Sequence, residues 1–580
     1  MAVIGISDSH DSGSALVQDG KLLAAANEER FTKRKNEVGF PYHSLKYAES
    51  LADNVDAIAV GWIGGNALIS RIFPGHDEKR RMIWRRELPK PSRLSMHFGN
   101  FIYRLVQGQH PAFAWKAIGE SITRSITKRR LSISSKALAD KPIYVVEHHM
   151  AHAASAYYFS GFNDALIITL DGAGDGLSGT VSIGSGGSIE RKASFEASAS
   201  LGIFYGAATV ACDLRYAEDE GKLMSLAAYS YPKEIKELDS YCFYDASKKK
   251  FVSKIKTRSE LLLAETIHDH LLSKYDRESF AYAVQRHTEN QIKKIVEQWI
   301  NETGIHNVAV AGGLFSNVLV NQAIEHIDGV KRLFVFPHMG DGGLNAGAAA
   351  YVDHMLGGKY TPNELPNLYL GPEYSNEEIE KALKHAKEKG SLSYMQTEHP
   401  ERDATSMLLD DEIILWFQGR MEYGPRALGN RSILAMPNNP ENRNKINSII
   451  KRRPYYQPFA STILQEDAPR LLEDYLYANK FMTSANRIFP EHYPELVAAS
   501  HIDRTTRPQI LGNENPLYRK LIEEVKRKNG IGAVLNTSLN KHGMPIVMDP
   551  EDAIWTLENT GAEVLIIGNY IARKSSKAKA

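Results

Sequence analysis

The 580-residue chain carries 70 Lys and Arg against 69 Asp and Glu, a formal net charge of +1 that gives no global attraction to nucleic acid or to a membrane surface. At 43% hydrophobic and 24% charged residues it has a globular composition, and its length calls for two or more domains. Its two cysteines, Cys212 and Cys242, exclude a disulfide framework or a cysteine metal cluster; with neither a leader-like start nor a membrane-length apolar run, a cytoplasmic protein is expected.

Val3 to Ile6 reads as a strand, followed by the polar loop Ser7 to Ser14 and two more strands, Ala15 to Val17 and Lys21 to Ala26, turned at Asp19-Gly20. Actin-like ATPase folds begin in this way. The loop offers hydroxyls and backbone N–H groups to phosphate, so Asp11 and Ser12 are nucleotide-binding candidates and His10 a candidate base, although Asx-type turns use the same residues. Glu28 to Lys35 is a charge run that reads as a solvated face, with Lys35 counted among the catalytic candidates. A helix near Tyr42 to Ala52 and a strand at Ala57 to Val60 follow. Residues 66–135 read as a helical insertion, net positive by about ten charges, with Trp84, Phe98, Tyr103 and Trp115 among its basic residues. It either wraps an anionic partner or covers the core.

Ile143 to Val146 is a short β-rich run leading into a helix, Met150 to Phe159, with histidines at its start. His148 and His152, four residues apart, share a helix face and can reach one ion. The apolar strand Ala165 to Leu170 ends in Asp171, a third potential ligand, and in a turn whose Gly172, Gly174 and Asp175 suit a phosphate. Strands at Thr180 to Ile183 and Ile189 to Ala193 and a helix at Leu201 to Leu214 follow. Lys222, in Glu220-Gly221-Lys222, is placed to reach a phosphate or carboxylate. Phe280 to Thr303 is a long amphipathic helix. The strand Val308 to Val310 then opens through Gly312 and Gly313 toward Asn317, the usual place for adenosine in actin-like folds. The strand Leu333 to Phe336 leads to Asp341, a second strand-end carboxylate.

Residues 356–372, rich in Gly, Pro and Asn, read as a linker. Beyond it helices at Asn376 to Lys389 and Ala404 to Leu409 alternate with a strand at Ile413 to Gln418. Arg420, Arg426 and Arg431 then stand between glycines, a pattern suited to several anionic oxygens because guanidinium forks bind phosphate. Lys451, Arg507, Asn536 and Ser538 add donors. The tail, Lys574 to Ala580, reads as disordered.

His148-His149-Met150-Ala151-His152, Glu220-Gly221-Lys222, Ala311-Gly312-Gly313 and Gly424-Pro425-Arg426-Ala427-Leu428-Gly429 occur in one order, and on them the chain resembles the nodulation-type O-carbamoyltransferases, the family of the tobramycin and cephem carbamoyltransferases. The resemblance implies an α/β protein. An actin-like domain over 1–355, similar to threonylcarbamoyl-adenosine tRNA-modifying enzymes, is followed by a YrdC-like domain over 373–580. It implies that ATP, with Mg, and carbamoyl phosphate form carbamoyl-adenylate in the second domain, and that the first passes the carbamoyl group to a hydroxyl of a sugar or secondary metabolite. It also implies a divalent metal on His148, His152, Asp171 and Asp341, often iron, with manganese or zinc the alternatives. Pro454 and Gln457 depart from the family, whose members more often carry an acid and an arginine there. Two other readings remain: an actin-like kinase, to which the arginine-rich loop is of no use, and a tRNA-modifying enzyme using the basic insertion.

Overall fold

The computed structural model describes residues 1–73, 75–96, 113–255, 259–358 and 360–575. The chain forms two units, one of residues 1–28 and 36–365, the other of residues 29–35 and 366–580.

The first unit is a duplicated α/β layout. In one sheet β1 (Ala2–Ser7), β2 (Gly13–Gln18) and β3 (Lys21–Asn27) run antiparallel, and β4 (Ala57–Gly61) and β5 (Ile143–Val146) add in parallel beyond β1, giving the order β3-β2-β1-β4-β5. β6 (Asp164–Gly174), β7 (Leu177–Ser185) and β8 (Ser188–Glu196) repeat the antiparallel trio. After a small hairpin, β9 (Phe243–Asp245) and β10 (Lys250–Val252), the strands β11 (Asn307–Ala311) and β12 (Arg332–Val335) complete the order β12-β11-β6-β7-β8. This repeated order is the actin-like topology. β1 and β4 are buried along their whole length, as strands covered on both faces must be, and their apolar runs are correspondingly continuous.

Each sheet is closed by the helix that follows the other. His148–Tyr158, after β5, packs on β6 and β11; Leu344–Met355, after β12, packs on β1, β2 and β4. The two helices also pack on one another, and a β-carbon at Gly347 would fall 1.9 Å from the Ala151 carbonyl oxygen, so the crossing needs glycine. Their N-termini and the C-terminal ends of β1 and β6 meet where ligands bind in open α/β sheets.

The insertion contributes the helices Gly65–Ile72, His76–Trp84 and Phe113–Ser134. Arg71 is held by Asp8 at 2.7 Å with both side chains buried, Arg80 pairs with Glu260, Arg85 with Glu218, and Lys90 and Arg93 with Glu265. Much of its positive charge is thus satisfied by acids of its own unit, which favours the covering role. Phe98, Tyr103, the Trp115 side chain and residues 576–580 of the tail lie outside the described residues.

The second unit is built on eight strands: β13 (Leu392–Gln396), β14 (Ile414–Phe417), β15 (Arg431–Ala435), β16 (Ala460–Leu464), β19 (Gln509–Leu511), β20 (Ala533–Ser538), β21 (Val564–Ile567) and β22 (Tyr570–Lys574); β17 (Asn486–Arg487) and β18 (Thr505–Thr506) pair separately. The sheet order is β13-β22-β21-β14-β15-β20-β16-β19. Side-chain alternation gives it two cores: Leu415 and Phe417 of β14 join one, Ile414 and Trp416 the other.

Two expectations need correction. Glu29 to Lys35 is not a solvated face: the segment folds with the second unit, Arg30 is 3% exposed, and Lys33 pairs with Asp549 and Asp552. The stretch 356–372 is not a free linker either, because Leu365, Leu368 and Leu370 are buried and the two units meet in sequence at 365/366. Among the described residues no helix is long and apolar enough to cross a membrane.

Candidate active site

In the first unit, His148 and His152 project from the start of their helix, whose N-cap Glu147 accepts the Met150 N–H at 2.8 Å. Asp171 lies at the bulge within β6, and Asp341 opens a short 3-10 turn leading into Leu344–Met355. One ligand atom from each of these four residues lies within 4.8 Å of the others. His152 Nε2 is 3.1 Å from Asp171 Oδ2 and 3.4 Å from Asp341 Oδ1, and His148 Nε2 is 3.7 Å from each of those oxygens. Ligands at about 2.0–2.2 Å from one ion stand about 3–3.5 Å apart around it, so the set closes on a cation with small adjustments. His148 Nε2 and Asp341 Oδ1, both facing the centre of the set, are buried without a hydrogen-bond partner, as ligand atoms waiting for an ion would be. Burial opposes charge on His152, but Asp171 and Asp341 outweigh it and raise the imidazole to about 9. Asp171, also buried, is held well below the carboxylate range by His148 and His152. His149 points elsewhere, to Thr169 Oγ1 at 3.0 Å and the Leu177 carbonyl at 3.2 Å, and burial followed by the His148 charge lowers it to about 3.

The glycines of the Asp171 turn serve this cluster. A β-carbon at Gly174 would fall 2.1 Å from the His148 ring, and one at Gly313 would fall 3.0 Å from Asp171 Oδ1. Gly312, at φ +112, abuts the Leu170 carbonyl, and Gly172 donates its N–H to Asp171 Oδ1 at 2.6 Å. Asp175 is spent on backbone, accepting N–H groups from Ile63 (3.2 Å), Gly64 (2.6 Å) and His148 (2.9 Å). Asn317 caps the helix Val318–Glu325 and hydrogen-bonds Gln285. The polar groups of both residues are therefore engaged within the fold.

His10 Nε2 lies 3.0 Å from Asp341 Oδ2 and Nδ1 lies 3.4 Å from Asp11 Oδ2. Burial lowers its affinity for a proton, yet the two carboxylates leave it well above the usual imidazole range. Ser12 donates its N–H to the Glu37 carbonyl and accepts the Glu28 N–H. Lys222, in the helix Glu220–Leu226, pairs with Asp219 at 2.7 Å. Sequence reasoning missed Trp62, whose ring stands edge-on to His148 at 4.4 Å and to His10 at 5.9 Å between centroids.

The second unit sorts the predicted cations into two kinds. Arg420 donates to the Leu370 and Gly371 carbonyls, and Arg431, 0% exposed, lies over Phe417 and donates to the carbonyls of Pro372, Gln418, Gly419, Asn430 and Met548. These two hold the loop together. Arg426 and Arg507 are different: their Nε atoms are buried without partners, and burial lowers Arg426 to about 10 and Arg507 well below its ordinary value. The charges acting on Arg507 are those of Arg426 and Arg453, all of one sign. Lys451, 3% exposed, donates to the Ser538 carbonyl and hydroxyl and to Asn540 Oδ1; burial, Arg453 and Lys35 push its ammonium well down. Asn536 bonds the Ala427 carbonyl, Thr462 and Gln509. Arg453 completes the group, its Nε donating to Asn447 Oδ1 at 2.7 Å and one Nη to the carbonyls of Gln457 and Pro458. Only its place in Lys451-Arg452-Arg453 marks it in the sequence. Arg30, from the inserted segment, donates to the Gly424 carbonyl at 2.8 Å and the Ile546 carbonyl at 3.2 Å, fixing the turn that presents Arg426. Guanidinium groups keep their charge even when buried, so this cluster is relieved by an anion.

Comparison with known proteins agrees with this layout. The family described as "Carbamoyltransferase N-terminus" matches residues 2–350 and that described as "Carbamoyltransferase C-terminus" matches residues 405–574. An uncharacterized protein of Methanocaldococcus jannaschii is 31% identical over 595 residues, covering 99% of each chain. The nodulation protein NolNO of Sinorhizobium fredii is 29% identical over 97% of this chain and 79% of its own. The 3'-hydroxymethylcephem-O-carbamoyltransferase of Amycolatopsis lactamdurans is 26% identical over 45% of this chain and 47% of its own. Overlap with solved structures is partial: full-length HypF in its phosphate- and nucleotide-bound form aligns over 61% of this chain and 46% of its own, at 13% identity and a TM-score of 0.35. With both halves of the chain matched in order, the protein belongs to the carbamoyltransferase family, alongside the nodulation proteins and the hydroxymethylcephem O-carbamoyltransferases, and is a transferase enzyme.

Proposed function

We propose that the protein is an ATP-dependent O-carbamoyltransferase acting on a hydroxyl of a sugar or secondary metabolite. The observation that carries this reading is the buried cationic cluster of Arg426, Lys451, Arg453 and Arg507, in a unit separate from the His148, His152, Asp171 and Asp341 set. Carbamoyl phosphate and ATP are both polyanions, and forks without carboxylate partners suit them. In the second unit carbamoyl phosphate is hydrolysed to carbamate and inorganic phosphate. A carbamate oxygen then attacks the α-phosphorus of ATP, forming carbamoyl-adenylate and expelling pyrophosphate. Arg426, Arg453 and Arg507 bind and orient phosphoryl oxygens, while Ser538 and Asn540 hold Lys451 within reach of the Arg453 charge.

In the first unit the acceptor oxygen attacks the carbamoyl carbon and AMP leaves. His148, His152, Asp171 and Asp341 would hold a divalent metal, which supplies Lewis acidity toward the oxygens of the carbamoyl donor; two imidazoles and two carboxylates suit iron(II), manganese(II) or zinc(II). His10, against Asp341 and Asp11 at this site, is assigned as the base that takes the acceptor's proton. With Asp341 committed to a cation, one of the two carboxylates that raise the His10 imidazole is withdrawn, which weakens its hold on a proton. The layout alone also suits a kinase, so the nucleotide product decides. AMP and pyrophosphate formed only when carbamoyl phosphate is added is the expected result, and ADP in their place refutes the reading.

A further inference from the structure

Trp62 sits in the first unit's site in a conformation that the local sequence does not favour. Its φ is +91°, the left-handed side of the map, where a bulky residue is a true outlier and strained. The surrounding structure enforces it. The Trp62 N–H donates to the Val146 carbonyl at 2.8 Å, and the next two N–H groups, of Ile63 and Gly64, are clasped by the Asp175 carboxylate that also holds the N–H of His148. One carboxylate thus ties the Trp62 turn to the helix start that carries two potential metal ligands. The indole is 3% exposed, its ring contacts both His148 and His10, and its Nε1–H is buried without a hydrogen-bond partner.

An indole nitrogen only donates, and a buried donor left unpaired forfeits its bond to water without replacing it. Strain and an unmet donor at one residue beside the reacting groups mark a place where the partner arrives with the substrate. The acceptor alcohol is the wrong partner: a hydrogen bond donated to its oxygen withdraws the electron density that must attack. An oxygen of the carbamoyl donor is the right one, because the same bond there stabilises negative charge as it develops. We infer that Trp62 is a binding residue for the activated carbamoyl donor, its indole N–H donating to a carbamoyl or phosphate oxygen of carbamoyl-adenylate. The inference rests on the function proposed above.

The test uses the full, metal-loaded chain and a stable mimic, 5′-O-(N-carbamoylsulfamoyl)adenosine, titrated calorimetrically. The functional reading predicts two classes of site, one lost in Arg426→Ala and one lost in His148→Ala. Trp62 is then replaced by 3-benzothienyl-alanine, which keeps the fused ring and exchanges N–H for sulfur, and separately by Phe. The expected result is that the His148-dependent site weakens about 10- to 100-fold in both variants. The Arg426-dependent site and the metal content should stay as in wild type, and the benzothienyl variant should melt at or above the wild-type temperature because no donor is left unpaired. Unchanged mimic binding overturns the role of Trp62, as does a lowered melting temperature with unchanged binding, which marks a structural hydrogen bond. A wild-type chain with no His148-dependent site overturns the functional reading, and the role of Trp62 with it.

Discussion

Gly174 stands directly against His148: the space where a β-carbon would sit at Gly174 is filled by the imidazole, 2.1 Å away. The second glycine after Asp171 therefore sets how far the His148 ring can turn toward Asp171 and Asp341. Gly174→Ala should push the ring out of the cluster. Overpacking of this kind costs about 1–3 kcal/mol, so the chain should still fold with a lower melting temperature. Metal content of the purified variant, measured by elemental analysis, should fall at least about tenfold, as for loss of a ligand-orienting contact. Full metal content would show that His148 is not a ligand.

The arginines of the second unit should divide by their partners. Arg431→Met removes the donor to five carbonyls and should destabilise that unit by about 3 kcal/mol or more, as when a buried hydrogen-bonded network loses its centre. Arg507→Ala removes a cation crowded by Arg426 and Arg453 and should leave the melting temperature unchanged or higher, while carbamoyl phosphate-dependent AMP formation is lost. Thermal melts and an AMP assay on the two variants separate these outcomes, and equal destabilisation would refute the division.

A pH dependence follows from Glu220. Burial first, then its acidic neighbours Asp219 and Glu218, raise its carboxyl from 4.5 to about 7, against hydrogen bonds that favour the ion. The folded state thus binds this proton more tightly than the unfolded chain. The associated stability is fully present below pH 4.5 and is lost as pH rises to about 7. The amount is less than about 3 kcal/mol. In Glu220→Gln this loss should vanish, so the stability difference between wild type and variant should drift against the wild type from pH 4.5 to 7 and be flat below. A constant difference across that window would mean that Glu220 titrates normally.

How much of this was legible in the sequence differs from element to element. His148 and His152 share a helix face by their spacing, and Asp171 and Asp341 follow short apolar runs that read as buried strands, but that all four hold one metal was implied by the family resemblance, and their meeting depends on a sheet order that no local pattern contains. The division among the arginines is not local. Arg431 opens β15 and points into carbonyls brought together by Pro372, Gln418 and Met548, whereas Arg426 lies in the turn before it, and residue type alone cannot tell the two apart. The charge run at Glu29 to Lys35 misled for a related reason: its acceptors, at Gly424, Ile546 and Asp549, lie about 400–500 residues onward, beyond any periodicity argument. Asp175 resembled a phosphate-loop residue because glycine turns that bind phosphate and turns that clasp backbone N–H groups have the same composition.

The proposed chemistry puts activation in the second unit and transfer in the first. Exchange of labelled pyrophosphate into ATP, driven by carbamoyl phosphate, reads the first step without any acceptor. Wild type and His148→Ala should exchange alike, with metal expected in the first and lost from the second, and Arg426→Ala should not exchange while its metal content should match wild type. Exchange that survives in Arg426→Ala, or that disappears in a folded His148→Ala, would contradict the assignment.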